Sequence, residues 1–250
     1  MKKALYLLDE RLGGSLQEIW FSIAEWVFRK KLPFGYELYS LRGQKSRLSE
    51  LADIAGTDKG GLVPVGNAPW PKHNYTDLYS LIFAASRTSV SVFLEVGIGS
   101  SRPDIRGEWA EHAKVGASLY MWRDFFPNAQ IFGADIDPDS LVFSDRILCF
   151  TVDQTSSDSV ANLRTQLPSG IDVVLDDGLH EYSAGKTLFE GISPSLSQNG
   201  VYIIEDVHIS DFIEYKNFFM NLPDFEVTFV SGRRPRGSRS DNRLILVTRR

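Results

Sequence analysis

Val92-Phe93-Leu94-Glu95-Val96-Gly97-Ile98-Gly99-Ser100-Ser101 is the stretch whose reading decides the fold. An apolar run that passes straight into Gly-x-Gly reads as a buried strand ending in a tight turn. Open α/β sheets receive nucleotide ligands at that edge. Gly97 and Gly99 permit the turn and a close backbone approach. The third glycine of a dinucleotide fingerprint is absent, with Arg102 where it would fall, so a pyrophosphate site is disfavoured. Glu95, just before the turn, suits a cationic or amine-bearing ligand.

Outward from this strand the chain alternates. The spacing predicts helices at 76–86, 118–126, 157–166, 183–196 and 209–220. Strands are expected at 91–96, 130–135, 172–175 and 200–205, with a further apolar run at 146–150. Helices and apolar strands in alternation are the pattern of a mostly parallel sheet with helices on both faces. Strands at 225–231 and 244–248, joined by an Arg-rich loop at 232–243, predict a C-terminal antiparallel hairpin.

The chain has 250 residues and 28.1 kDa, with 43% hydrophobic and 24% charged residues, enough to build one large buried core. Lys and Arg number 27 against 32 Asp and Glu, a formal charge of −5 that argues against whole-domain attraction to nucleic acid. Cys149 is the only cysteine, so neither an internal disulfide nor a Cys-rich zinc site is available. No signal peptide or bilayer-crossing segment is read, and cytoplasm is the default compartment. Leu16, Ile19, Trp20, Ile23, Trp26 and Val27 recur at helical spacing, so 15–30 is expected to be an amphipathic helix. Residues 1–50 are read as a helical appendage, a lid or a contact for a homo-oligomer, and 51–250 as the main domain. The Gly- and Pro-rich segment 56–71 reads as a long loop.

Acids close the successive strands. Asp135 ends the second core strand, where a carboxylate takes the two hydroxyls of a ribose, and Asp153-Gln154 after the next run can reach an adenine. Glu95, Gly97, Gly99, Asp135 and Asp153 together resemble the S-adenosylmethionine site of class I methyltransferases. Two later strands finish in Asp176-Asp177-Gly178-Leu179-His180 and Glu205-Asp206, and adjacent strands would bring Asp177, Glu205 and Asp206 together. Three ionised carboxylates need something positive between them, and a hard divalent cation such as Mg²⁺ supplies it. His180, with an ordinary pKa of about 6.5, then stands as general base for an alcohol. The plainer alternative has Asp176 and Asp177 capping the next helix while Glu205 and Asp206 pair with surface Lys or Arg.

Thr57-Asp58-Lys59-Gly60, His73-Asn74-Tyr75, Tyr79, the Glu95 to Gly99 turn, Gly116-Ala117-Ser118-Leu119, Asp177-Gly178-Leu179-His180, Glu205-Asp206 and Asp241-Asn242-Arg243 extend the likeness. Over 50–250 the chain resembles the metal-dependent sugar O-methyltransferases of antibiotic tailoring, a group that also carries a cephalosporin-hydroxylase label. The resemblance implies a Rossmann-like class I methyltransferase fold, S-adenosylmethionine and Mg²⁺ as cofactors, and a small-molecule glycoside acceptor, without nucleic acid or membrane partners. It also implies metal ligation by Asp177, Glu205 and Asp206, with His180 as base and Thr57, Lys59, Tyr75 and Ser118 around the cofactor.

Three rivals stay open. A metal-dependent catechol methyltransferase keeps the cofactors, and the Asp-x-x-His pattern with no lysine expected at the site tilts the reading towards sugars. Asp177, His180 and His208 could form a two-histidine, one-carboxylate iron site for an oxygenase. Arg233, Arg234, Arg236, Arg239 and Arg243 could bind an acidic ligand or RNA. Trp109 is a candidate lining residue, and His112, like His208 outside the iron reading, is expected to be structural. Leu119, Trp122, Phe125 and Phe126 fall at helical spacing and are expected in the core.

Overall fold

The computed structural model describes residues 35–39, 46–60, 73–100, 102, 114–208, 210–233 and 242–250, with only the backbone at 35–39 and 233. The expected helix at 15–30, Trp109 and His112, and most of the Arg-rich loop lie outside these residues.

The described strands are β1 (Gly35–Tyr39), β2 (Val92–Val96), β3 (Gln130–Asp135), β4 (Ile147–Thr151), β5 (Ile171–Asp176), β6 (Leu196–Ile204), β7 (Phe225–Arg233) and β8 (Arg243–Arg249). They form one eight-stranded sheet in the order β1-β7-β8-β6-β5-β2-β3-β4. β8 runs antiparallel to both β6 and β7, and every other pairing is parallel. The order reverses at β2, with β3 on one side and β5 on the other, so a crevice opens at the carboxyl ends of β2, β3 and β5.

The period-two alternation of β2 divides the core. Phe93 faces a cluster with Trp122, Phe126 and Ile131, while Leu94 faces another with Val174, Leu188 and Ile204. The first cluster is covered by α1 (Arg47–Ala55), α2 (Tyr75–Ile82) and α3 (Ala117–Phe125). The second is covered by α4 (Ser157–Gln166), α5 (Tyr182–Ile192) and α6 (Phe212–Phe219). Helices on both faces, with a mostly parallel sheet and a C-terminal antiparallel pair, are the architecture expected from the sequence. Leu119, Trp122, Phe125 and Phe126 are buried as expected, and Trp122 sits 5.0 Å from Phe93 and 5.7 Å from Phe126 between ring centroids. Removing an aromatic ring from such a cluster costs about 3–5 kcal/mol.

The helix expected over 183–196 stops at Ile192, because Pro194 removes a backbone donor and turns the chain into a short 3₁₀ segment. β6 therefore begins at Leu196 rather than Gly200. The helix expected over 76–86 ends at Ile82, and that expected from Ile209 starts at Phe212. α1 has a reciprocal cap between Ser46 and Ser49 and ends at Gly56 in the left-handed region, φ 80°. β1 pairs with β7 as an edge strand that the sequence reading does not contain. No helix among the described residues is long and apolar enough to cross a membrane.

Candidate active site

The parallel register places Asp176 of β5 opposite Ile204 of β6, so Asp177 and the Glu205-Asp206 pair leave the sheet side by side. The Asp177 amide donates to the Val96 carbonyl at 2.8 Å, and the Glu205 amide to the Asp176 carbonyl at 2.9 Å. The ends of β2, β5 and β6 are thereby tied together. Gly97, at φ 91°, is required here, since a Cβ would overlap the Asp177 carbonyl. At Gly99, φ 86°, a Cβ would meet no atom of the described residues within 4 Å.

Asp177, His180 and Asp206 each offer a ligand atom, all within 4.8 Å of one another. His180 Nε2 lies 3.9 Å from Asp177 Oδ1 and 3.9 Å from Asp206 Oδ2, too far for a hydrogen bond to either. Both His180 and Asp206 are non-glycine residues in the left-handed region, at φ 55° and 52°. That backbone costs of order 1–3 kcal/mol and is concentrated at functional sites. The plainer capping role for Asp176 and Asp177 is not what the chain adopts: the N-cap position of α5 is Glu181, whose side chain makes no cap hydrogen bond, and α5 begins at Tyr182.

Glu205 has a different company. It is buried, accepts from the Tyr79 hydroxyl and from Lys59, and is not part of the Asp177, His180, Asp206 group. Lys59 Nζ lies 2.5 Å from Asp177 Oδ2 and 3.2 Å from Glu95 Oε1. The amine that Glu95 meets within the chain is therefore Lys59. The expectation of no lysine at the site is corrected: the loop after α1 folds Lys59 into the carboxylates, where its charge offsets theirs. Burial alone would lower Lys59, but Asp177, Glu205 and Glu95 outweigh it and hold its pKa well above the ordinary value. Burial raises the Glu95 carboxyl to about 7 and Glu205 well above its usual range, against the pull of Lys59. Ser118, near the start of α3, is buried as Glu95 is. Thr57 is buried behind the turn, its Oγ1 accepting from the Lys59 amide at 3.5 Å.

Tyr75, expected around the cofactor, donates its hydroxyl to Asp206 Oδ1. His73 stacks on Tyr75 with centroids 4.6 Å apart, and its Nε2 lies 3.5 Å from Asp58 and 3.6 Å from Asp206. His73 Nδ1 reaches Asn242 Oδ1 at 3.3 Å, and Asn242 Nδ2 donates to Asn74 at 2.8 Å. The 56–60 loop, the start of α2 and the entry to β8 thus form one buried polar wall beside Asp206. His73, Tyr79 and Asn242 had no assigned role in the sequence reading. The sequence carried them only as positions in the His73-Asn74-Tyr75, Tyr79 and Asp241-Asn242-Arg243 segments; their burial together is visible only in the structure.

Asp135 accepts from the Ile98 amide at 2.9 Å and the Asp137 amide at 3.0 Å, so it holds the glycine turn against β3. Burial raises its pKa. Asp153 accepts from the Thr155 amide and hydroxyl, and those bonds lower its pKa. Gln154 is buried and bonded to Asp176 and to the Leu179 amide. His208 faces Ser210 at 2.7 Å, and the ligand group contains one histidine, so the two-histidine iron set does not assemble. Arg243 is buried, its guanidinium 5.8 Å from the Phe212 ring, rather than part of a solvated patch.

No model of a known protein family matches the chain. It is 34% identical over 172 residues to the 8-demethyl-8-(2-methoxy-alpha-L-rhamnosyl)-tetracenomycin-C 3'-O-methyltransferase of Streptomyces olivaceus, covering 67% of this chain and 39% of that protein. It is 32% identical over 164 residues to the mycinamicin VI 2''-O-methyltransferase of Micromonospora griseorubida, covering 66% and 37%. The structure of MycE methyltransferase from the mycinamycin pathway, in complex with Mg, S-adenosylhomocysteine and mycinamycin VI, superposes with a TM-score of 0.52 at 31% identity. That match covers 66% of this chain and 40% of MycE. Over about two thirds of its length the chain is thus similar to sugar O-methyltransferases. It spans about two fifths of the length of the curated relatives it matches. The O-methyltransferase of Bacillus cereus, bound to S-adenosylhomocysteine, shares the fold at 12% identity with a TM-score of 0.51, over 93% of this chain and 99% of that one.

Proposed function

We propose that the chain is an S-adenosylmethionine-dependent, Mg²⁺-assisted O-methyltransferase that acts on a sugar hydroxyl of a glycoside. The carrying observation is the group Asp177, His180 and Asp206, with ligand atoms within 4.8 Å, beside the Gly97 to Gly99 turn. The residues fit a hard cation. Two carboxylates on neighbouring strand ends share a focus, each already oriented by a donor behind it, Lys59 for Asp177 and Tyr75 for Asp206. Asp177 and Asp206 are assigned as ligands, and Glu205 completes the acidic set from behind while bound to Lys59 and Tyr79.

They also fit the methyl donor. No described atom would meet a Cβ at Gly99, Asp135 stands at the end of β3 for the ribose hydroxyls, and Asp153 flanks the base. Thr57, Glu95, Gly97 and Ser118 form the wall nearest its amino-acid end.

Bound Mg²⁺ would make the acceptor hydroxyl more acidic and offset the carboxylate charge. His180 Nε2, held 3.9 Å from both aspartates, takes the proton as the acceptor oxygen gains the methyl group and the carbon–sulfur bond breaks. Lys59 keeps Asp177 and Glu205 from repelling one another. The buried wall of Tyr75, Tyr79 and His73 keeps water from the rear of the site.

Lys59 beside Asp177 returns weight to the catechol reading. Its charge is fixed by three carboxylates, however, so it does not serve as a base, and His180 keeps that role under either acceptor. Methyl-labelled S-adenosylmethionine offered with deoxysugar glycosides and with catechols decides between them. Label on a glycoside, lost with a chelator and restored by Mg²⁺, supports the proposal; label on catechols alone overturns the sugar assignment.

A further inference from the structure

The turn that carries Asp177 and His180 has few supports of its own. It leaves β5 at Asp176, passes through Gly178 and Leu179, and reaches His180 in the left-handed region. What holds its Leu179 backbone comes from across the sheet, from the end of β4, with β2 and β3 lying between. Gln154, after β4, donates from Nε2 to Asp176 Oδ1 at 2.6 Å and accepts the Leu179 amide on Oε1 at 2.9 Å. Both ends of one buried amide are thereby used, one before the turn and one within it. The Gly178 amide adds a longer contact to Asp176 Oδ1 at 3.4 Å.

Glycines make the room. A Cβ at Gly178 would overlap the Gln154 amide, so Gly178 is spared a side chain to admit Gln154, and no left-handed φ is involved. A Cβ at Gly185 of α5 would overlap the Tyr215 hydroxyl and lie 3.2 Å from Asp176 Oδ2. Asp176 is buried among these groups and does not reach the ligand group, which contains Asp177 instead.

We infer that Gln154 and Asp176 are positioning residues: their hydrogen bonds brace the 177–180 turn and set the separation of the Asp177 carboxylate from the His180 imidazole. This replaces a direct cofactor contact for Gln154, and it rests on the proposed metal-assisted function. The physical argument is geometric. Ligand and base are separated by two residues on a turn whose Asp177 end is tied to Val96 and Lys59, and a buried two-sided amide is the described side-chain anchor on its Leu179 backbone. Small displacements of a ligand weaken a metal site sharply, and loss of an outer hydrogen bond typically costs 10–100-fold in affinity.

The experiment measures Mn²⁺ binding by electron paramagnetic resonance and S-adenosylhomocysteine binding by calorimetry, neither of which needs turnover. Gln154→Met, similar in length but without the amide, is expected to weaken Mn²⁺ binding about tenfold or more while the nucleoside affinity stays within about twofold. Asp176→Asn, which keeps Oδ1 as acceptor, is expected to retain Mn²⁺ affinity within about threefold, a rescue that general destabilisation would not give. Weakened nucleoside binding with unchanged Mn²⁺, parallel loss of both, or no change in either overturns the inference. Hydrogen exchange of the wild-type Leu179 amide covers a variant that fails to fold: slow exchange is expected, and exchange at the free-peptide rate overturns the brace. Should the wild type bind no Mn²⁺, the metal reading fails by itself, while the Leu179 measurement still decides whether the brace exists.

Discussion

Lys59 and Asp177 are separated by 118 residues and joined by an ion pair of 2.5 Å, with Glu205 and Glu95 sharing the same ammonium. A buried cation among three carboxylates is costly to remove, because the carboxylates left behind lose their counter-charge and Glu205 keeps only its bond from the Tyr79 hydroxyl. Lys59→Met is therefore expected to lower stability by about 3–5 kcal/mol in chelator. A divalent cation would supply part of the missing charge, so Mg²⁺ should raise the melting temperature of the variant more than that of the wild type. Thermal unfolding with and without Mg²⁺ checks both; a variant that melts like the wild type and ignores Mg²⁺ would contradict the ion-pair account.

His180→Ala should lower kcat by about 10²–10⁴-fold if the imidazole takes the acceptor's proton. Binding of S-adenosylhomocysteine should stay near wild type, since no residue assigned to the nucleoside touches His180. Steady-state kinetics paired with calorimetry separates the two, and retained turnover would remove His180 from the mechanism.

The two glycines of the turn should differ. Gly97→Ala puts a methyl group into the Asp177 carbonyl and strains a left-handed φ, whereas Gly99→Ala meets no described neighbour and carries only the backbone strain of about 1–2 kcal/mol. Denaturant unfolding should show the first variant as the less stable by a clear margin. Equal losses would mean that β2 and the 177–180 turn are not packed against each other.

Cys149 is buried beside Gly133, and burial pushes its thiol up to about 11 from 9.0. It should resist alkylation in the native protein at pH 8 and react at once in denaturant. The unfolded chain releases this proton first, so the thiol's contribution to stability is present below pH 9 and lost as the pH rises towards about 11. Cys149→Ala should unfold with a shallower loss over that interval; an identical pH slope would show that the thiol is not desolvated.

The parallel half of the sheet was legible because most of its strands are short apolar runs with an acid at or just past the end, and alternation with helices makes such strands parallel; of the strand order, only the side-by-side placement of β5 and β6 was read from the sequence. That Asp177, Glu205 and Asp206 converge was legible for the same reason, as residues just past neighbouring strand ends, but that Glu205 turns to Lys59 and Tyr79 while His180 joins the two aspartates was not. β1 was not, since Gly-Tyr-Glu-Leu-Tyr is short and only its pairing with β7 makes it a strand. Lys59 was visible as part of a motif but not as the counter-ion of Asp177 and Glu205. A contact closed by a Gly-rich loop over more than a hundred residues leaves no periodic trace. Gln154 was read as a cofactor residue from its place after β4; its bonds to Asp176 and the Leu179 amide were not legible, because a strand-end position does not tell which way a side chain turns.

The central claim is that the β2 turn and the end of β3 bind the methyl donor in front of the acidic group. Calorimetric titration of S-adenosylhomocysteine into chelator-treated protein, with and without Mg²⁺, and into Asp135→Ala, tests it most directly. The account predicts micromolar binding by the wild type and a loss of about tenfold or more in the variant, about the value of one charge-assisted hydrogen bond. Absence of binding by the wild type under both conditions, or equal binding by Asp135→Ala, would contradict it.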